Sequence, residues 1–444
     1  MAARLPSTPH EPGVVRLLGA TLIDGTGAAP VANSEVELRD GVIVYAGSRR
    51  SDAGKIAAGD NSAGASHIST GDEGDVGGER VIDLAGAFLM PGFIDAHVHL
   101  SMIPGDPEVQ RSRFPEEHVL GVAGVLRTTL LAGVTTARDL DGLTPGYRNS
   151  IAEGTAVGPR LHLAIAMLSP TGGHADPVRA NGSLPAWAVR PGMPEPGVVD
   201  TDDDVIRMVR NLLRAGADAI KVSTSGGVGS PTDDPHDVGL PQRHVELVAR
   251  LVAERGGRPI TAHALTDVAA RAAVLGGASS IEHGYDLNDD TIALMLERGT
   301  VLVPTLSTLL RTLNPATSTE AVRRDRATRQ RRGLDSVRRA VAAGVPVVLG
   351  TDAGVHPHGR NLAELARLVE VGLEPLAALR AGTLGGAQLL GLDDHLGSIE
   401  AGKQADLVVT RIDPVLAIGE LADSDTVRMV MQAGRVVKDL DAIG

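Results

Sequence analysis

Eight short apolar runs alternating with amphipathic helical segments constrain this chain more than any other feature. They are FLMPGFIDAHVH (88–99), GVTTARDL (133–140), RLHLAIAMLS (160–169), DAIKVSTS (218–225), PITAHA (259–264), SSIEHG (279–284), VLVPTLS (301–307) and PVVLGTDA (346–353). Helical candidates such as 116–132, 202–216 and 243–256 lie between them. Strands alternating with helices form parallel βαβ units, and eight such units fit a closed (β/α)8 TIM barrel. A doubly wound open sheet is the alternative, weakened because no Gly-rich phosphate turn follows an early strand.

The flanks have a different texture. Residues 14–47 alternate apolar and polar positions between Gly and Asp-Gly breaks, which predicts hairpins of a small sheet. Short strand patterns return from Leu396 onward. The expected fold is therefore α/β: a (β/α)8 barrel over 88–390, with a small β-sandwich domain built from both chain ends, 1–87 and 391–444. Residues 51–79 are rich in Gly, Ala, Ser and Asp and predict a mobile surface loop with no chemistry to offer.

Composition removes several classes of function. A formal net charge of −13 argues against nucleic acid or an anionic membrane as partner. The chain has no cysteine, so any metal must be held by His, carboxylate or a modified side chain. No secretory pattern opens the N-terminal stretch and no apolar run is long enough to span a bilayer, so a cytoplasmic location is expected.

In such a barrel the chemistry collects at the C-terminal ends of the strands. Two histidines, His97 and His99, are one residue apart at the end of the first run, so both project to one side. Such a pair can grip a metal ion, or can be two hydrogen-bonded histidines at a strand end. Four more residues fall at the same rim: Lys221, His263, His283 and Asp352. Singly, each histidine suits a structural role and Asp352 a turn cap; together, from five runs, they point to a metal site.

Lys221 is the only lysine between Lys55 and Lys403, in a chain that otherwise uses Arg. A buried lysine can lose its proton, and a neutral amine can react with carbon dioxide to give a carbamate able to bridge two cations. A snorkelling or salt-bridged lysine is the alternative. His174, in TGGHA (171–175), falls just past the third run. The loop at 225–230 contains Gly226 and Gly227, whose N–H groups could meet a substrate carboxylate or merely form a turn. Tyr285 could contact substrate or pack. His356 and His358 read as a rim feature, and Asp233-Asp234 as solvated.

The motifs HVH, IKVSTSGG (220–227), TAHA (261–264), SIEHG (280–284) and LGTDAG (349–354) resemble the metal-dependent amidohydrolase superfamily. TGGHA, VPTLS (303–307) and LGSIEAGKQADLVV (396–409) extend the resemblance to nearly the whole chain outside 51–79. It is greatest to the imidazolonepropionase-related branch that contains Xaa-Pro dipeptidases. The resemblance implies two divalent metal ions, first of all Zn2+. His97, His99, carbamylated Lys221 and Asp352 would hold one; His263, His283 and the same carbamate would hold the other. It also implies a bridging hydroxide, proton transfer by Asp352, and substrate contacts from His174, Gly226, Gly227 and Tyr285. Imidazolonepropionases lack the bridging lysine, so Lys221 favours the dipeptidase-like side.

The expected activity is hydrolysis of an amide in a dipeptide or N-acyl amino acid, with a small-molecule amide or peptide as partner and a homo-oligomer as assembly. A cyclic amide, lactone, or xenobiotic amide, carbamate or ester would suit the same scaffold, because only the loops decide. A non-catalytic assembly protein on this fold would typically have lost ligands, and none is lost here.

Overall fold

In a computed structural model, the described residues are 13–50, 79–103, 105, 112–184, 194–228, 233–312 and 320–442. The loop expected at 51–79 lies outside them, except that Glu79 opens the strand Glu79–Asp83.

Two sheets hold the strands from the chain ends. One orders Val42–Ser48, Ser34–Arg39, Val14–Leu18 and Glu79–Asp83. The other orders Arg435–Asp439, Val427–Gln432, Leu407–Thr410, Phe88–Pro91 and Thr21–Leu22, so residues from both ends share a sheet. Leu17, Val36, Leu38 and Ile82 from the first sheet and Leu89, Leu407, Met429 and Met431 from the second bury one common core.

The remaining strands pair in parallel. Phe93–Val98, Val134–Asp139 and Arg160–Leu163 form one run of pairings. Met167–Ser169, Ile220–Ser223, Ile260–Ala264, Ser280–His283 and Val301–Val303 form another. These strands are buried on both faces, as near-continuous apolar runs require. The expected eighth run is no regular strand, yet its backbone joins both neighbours. Leu302 N–H donates to Pro346 O (2.8 Å), Ala96 N–H to Leu349 O (3.0 Å) and His99 N–H to Ala353 O (2.8 Å). The order of parallel strands is of the TIM-barrel type.

Three runs differ in detail from expectation. The run at 88–99 breaks at Gly92, and its first half joins the chain-end sheet. A Cβ at Gly92 would lie 2.2 Å from Thr135 Oγ1, so only glycine permits that approach. The run at 160–169 divides around Ile165 (φ 71°): its first half pairs with the second strand, its second half with the fourth. The run at 301–307 ends early, as Thr305 (φ 48°) turns the chain into the short helix Leu306–Leu310.

Helices cover the parallel strands. Asp202–Ala215 illustrates how the sequence sets them: Thr201 and Asp204 form a reciprocal capping box, Val205, Met208, Val209 and Leu212 are buried, and Gly216 (φ 90°) ends the helix. No helix among the described residues is long and apolar enough to cross a membrane.

Candidate metal centre and substrate cavity

His97, His99, Lys221, His263, His283 and Asp352 all line one cavity of about 990 Å3. His97, His283 and Asp352 each offer a ligand atom within 4.8 Å of the others. His99 Nε2 lies 3.3 Å from Asp352 Oδ1, and His97 Nε2 lies 3.6 Å from the same oxygen. The rings of His263 and His283 are 4.6 Å apart. Lys221 is 1% exposed, and among the described residues its Nζ has no hydrogen-bond partner.

Three of the histidines have one ring nitrogen tied down by the fold. His97 Nδ1 lies 2.6 Å from Glu282 Oε2, His283 Nδ1 lies 2.7 Å from Thr305 Oγ1, and His263 Nε2 lies 3.1 Å from Gly226 O. Each bond fixes the ring orientation and leaves the other nitrogen available for a ligand. His283 (φ 75°), Thr305 (φ 48°) and Asp352 (φ 59°) adopt left-handed backbone conformations that cost non-glycine residues energy. Such costs collect at functional sites.

The charges beneath the rim were not singled out in the sequence. Glu282 is fully buried and accepts hydrogen bonds from Arg138 Nη2 (2.9 Å), Ser280 Oγ (2.8 Å) and Thr261 Oγ1. Arg138, also fully buried, donates from Nε to Ala96 O (2.5 Å) and so braces the first strand. Asp95 accepts from Thr351 Oγ1 and Asn361 Nδ2, both at 2.7 Å, tying that strand to the turn carrying Asp352. The available signal was a charge at an inward position of each apolar run: Glu282 in SIEHG, Arg138 in GVTTARDL and Asp95 in FIDAHVH.

Burial dominates the proton equilibria. It pushes the Lys221 amine down to about 8; Glu282 opposes the shift, while the Arg138 charge assists it. Burial lowers His97 to about 4 and takes His263 and His283 well below the usual imidazole range, favouring the neutral ring that ligates metals. Burial alone would raise Asp352, but the hydrogen bond and charge of His99, itself raised by Asp352, hold its carboxyl below the ordinary range. A partnerless amine, neutral imidazoles and an ionised carboxylate are a donor set suited to divalent cations.

His174 stacks on His263 at 4.2 Å, with Nδ1 3.3 Å from Asp233 Oδ2. Asp233 is not the solvated residue expected from the sequence: its side chain is 2% exposed and accepts the Gly227 N–H at 2.5 Å. Gly226 N–H donates to Asp237 O at 2.9 Å. With both N–H groups engaged inside the loop, Gly226 and Gly227 do not present the anion nest expected of them. Their role is spatial, since a Cβ on Gly227 would lie 1.9 Å from His174 Nδ1. Gly227→Ala should therefore displace His174 and lower kcat/KM by about 100-fold with metal content unchanged, as steady-state kinetics and metal analysis would show. Tyr285 lines the cavity 5.5 Å from the His283 ring, its hydroxyl bonded to Thr305 Oγ1 (2.8 Å). His356 and His358 bond the backbone oxygens of Thr351 (2.9 Å) and Met102 (3.0 Å).

A parallel α/β scaffold carrying histidines, a carboxylate and a partnerless lysine in one cavity has the form of a hydrolase. The amidohydrolase family profile matches residues 88–437, and the chain belongs to that family. It is 30% identical over 370 residues to the ochratoxinase of Aspergillus niger, covering 79% of this chain and 75% of that protein. The crystal structure of a prolidase complexed with N-methylphosphonate-L-proline superposes with a TM-score of 0.82 at 28% identity, covering 96% of this chain and 100% of that one. A Xaa-Pro dipeptidase with methionine bound in its active site superposes with a TM-score of 0.79 at 27% identity, over the same shares of the two chains. The protein is an enzyme, a hydrolase acting on amide bonds.

Proposed function

We propose that the protein is a binuclear metal-dependent hydrolase of an amide in a dipeptide or, better suited to this cavity, an N-acyl amino acid. The observation that carries the reading is the Lys221 amine, buried in the cavity of His97, His263, His283 and Asp352 with no hydrogen-bond partner among the described residues. Burying an amine that way is costly unless another group completes it. We read 88–390 as the catalytic (β/α)8 barrel and the sheets of 1–87 and 391–444 as its accessory β-sandwich.

His97, His99, Asp352 and carbamylated Lys221 would hold one divalent ion, and His263, His283 and the same carbamate the second, with zinc suited to these nitrogen and oxygen donors. Once bound, such ions supply Lewis acidity and lower the pKa of water toward neutrality. Asp352 accepts a proton from the attacking water and delivers it to the leaving amine as the C–N bond breaks. His174, on the cavity face beside His263, donates from Nε2 to the scissile carbonyl oxygen as negative charge builds there. Glu282 and Thr305 keep His97 and His283 from rotating.

A volume of about 990 Å3 is at the upper end of the usual range for small-molecule sites, so an acyl group larger than an aminoacyl residue fits. The ligands of the two superposed structures, N-methylphosphonate-L-proline and methionine, support a substrate with an amino-acid moiety. Asp352→Asn tests the mechanism on a mixed panel of dipeptides, N-acyl amino acids, lactones and carbamates. It should lower kcat by about 100- to 10,000-fold on amides, and cleavage should be confined to substrates with a free carboxylate. Turnover restricted to neutral esters, lactones or carbamates would refute the substrate class.

A further inference from the structure

Four arginines line one wall of the cavity, and among the described residues Arg311 and Arg326 pair with no carboxylate. Arg311 follows the short helix Leu306–Leu310, and Arg326, Arg329 and Arg332 come from the long helix Glu320–Ala343. Residues 326, 329 and 333 share one face by their three- and four-residue spacing. That face is seated beside the metal-type cluster: a Cβ on Gly333 would lie 3.3 Å from Tyr285 Cβ and 2.7 Å from Leu309 Cδ2. Tyr285 in turn lies 5.5 Å from the His283 ring.

Two of these cations are held in place and left partly unused. Arg326 donates from Nε to Arg311 O (3.2 Å) and from Nη2 to Thr308 O (2.9 Å), Leu309 O (3.1 Å) and Arg311 O (3.0 Å), and among the described residues its Nη1 has no hydrogen-bond partner. Arg311 donates from Nη1 to Val355 O (2.7 Å), while its buried Nε has no partner among the described residues. Among those residues neither arginine pairs with a carboxylate, whereas Arg329 has Asp325 at 2.9 Å. Burial and the neighbouring charges of Arg311 and Arg329 both disfavour the Arg326 cation. An anion placed between these side chains would relieve that repulsion. A carboxylate matches the planar guanidinium fork. Across the cavity the Gly226 and Gly227 N–H groups are already engaged, with Asp237 O and Asp233 Oδ2.

We infer that Arg311 and Arg326 form the subsite that receives the free carboxylate of the substrate. The inference rests on the amide-hydrolase reading above and names the residues that would make it carboxylate-selective.

The test uses the zinc-loaded protein and the variants Arg311→Gln, Arg326→Gln and Arg326→Lys. Calorimetry compares 3-phenylpropanoate with 3-phenylpropanol, an anion and a neutral analogue that neither require turnover nor undergo it. The wild type should bind the acid about 10- to 100-fold more tightly than the alcohol. Each Gln variant should erase most of that preference, Arg326→Lys should retain much of it, and the affinity for the alcohol should be the same in all four proteins. Equal affinities in the wild type, an undiminished preference in both Gln variants, or equal weakening of both probes would each overturn the subsite. Hydrolysis of N-acyl amino acids is measured on the same preparations. An intact, arginine-dependent preference for the acid without any amide cleavage would sink the amide reading and leave the subsite standing.

Discussion

Lys221→Ala should lose bound metal, falling from two ions per chain to one or none, and should lose at least about 1,000-fold in kcat, about 4 kcal/mol in the barrier. The amine is 1% exposed and has no hydrogen-bond partner among the described residues, so its removal breaks no hydrogen bond there. Removing a desolvated amine costs the fold little; the metal-free variant should unfold at a temperature equal to or above that of the metal-free wild type. That combination separates a ligand from a structural lysine, whose loss would lower stability with metal content preserved. Metal analysis, steady-state kinetics and calorimetry of chelated protein read out the three parts, and the native mass of the wild type should be heavier by one carbon dioxide. Two bound ions and full activity in the variant would eliminate the bridging role.

Glu282→Gln should be the most damaging change made without touching any proposed ligand. It removes the negative charge facing Arg138 Nη2 at 2.9 Å and His97 Nδ1 at 2.6 Å, both in full burial. Stranding a buried guanidinium costs about 3–5 kcal/mol, read by chemical denaturation. The amide also cannot substitute for a carboxylate in fixing the ring orientation of His97, so metal affinity should fall by about 10- to 100-fold. A double variant, Arg138→Met with Glu282→Gln, discriminates the two effects. Stability should largely return, because no uncompensated charge remains, while metal affinity should stay low. Full recovery of metal binding in the double variant would reduce Glu282 to a partner of Arg138 and nothing more.

The alternation of apolar runs and amphipathic segments was enough to order the parallel strands, because burial on both faces leaves a strand few alternatives to a continuous apolar run. The same runs, read at their C-terminal ends, yielded His97, His99, Lys221, His263, His283 and Asp352, all of which line one cavity. Local chemistry was sufficient there: alternation along a strand decides which face a residue takes, and residue type decides what it can bind. What no local rule could supply was partnership across the chain. Glu282 meets His97 over 185 positions and Asp95 meets Asn361 over 266, and such contacts exist only once the strands have come together. The glycine loop shows the same limit from the other side. Gly226 and Gly227 resembled an anion nest, but the fold brings Asp233 and Asp237 back onto their N–H groups. Nothing local in the sequence marks Arg311 and Arg326; tertiary packing seats their segment against Tyr285 and places both in the cavity lining. The strand order and the inventory of reactive groups were therefore properties of the sequence. Which donors remain free was decided by the tertiary structure, because a polar group's availability depends on everything that reaches it and not on its neighbours along the chain.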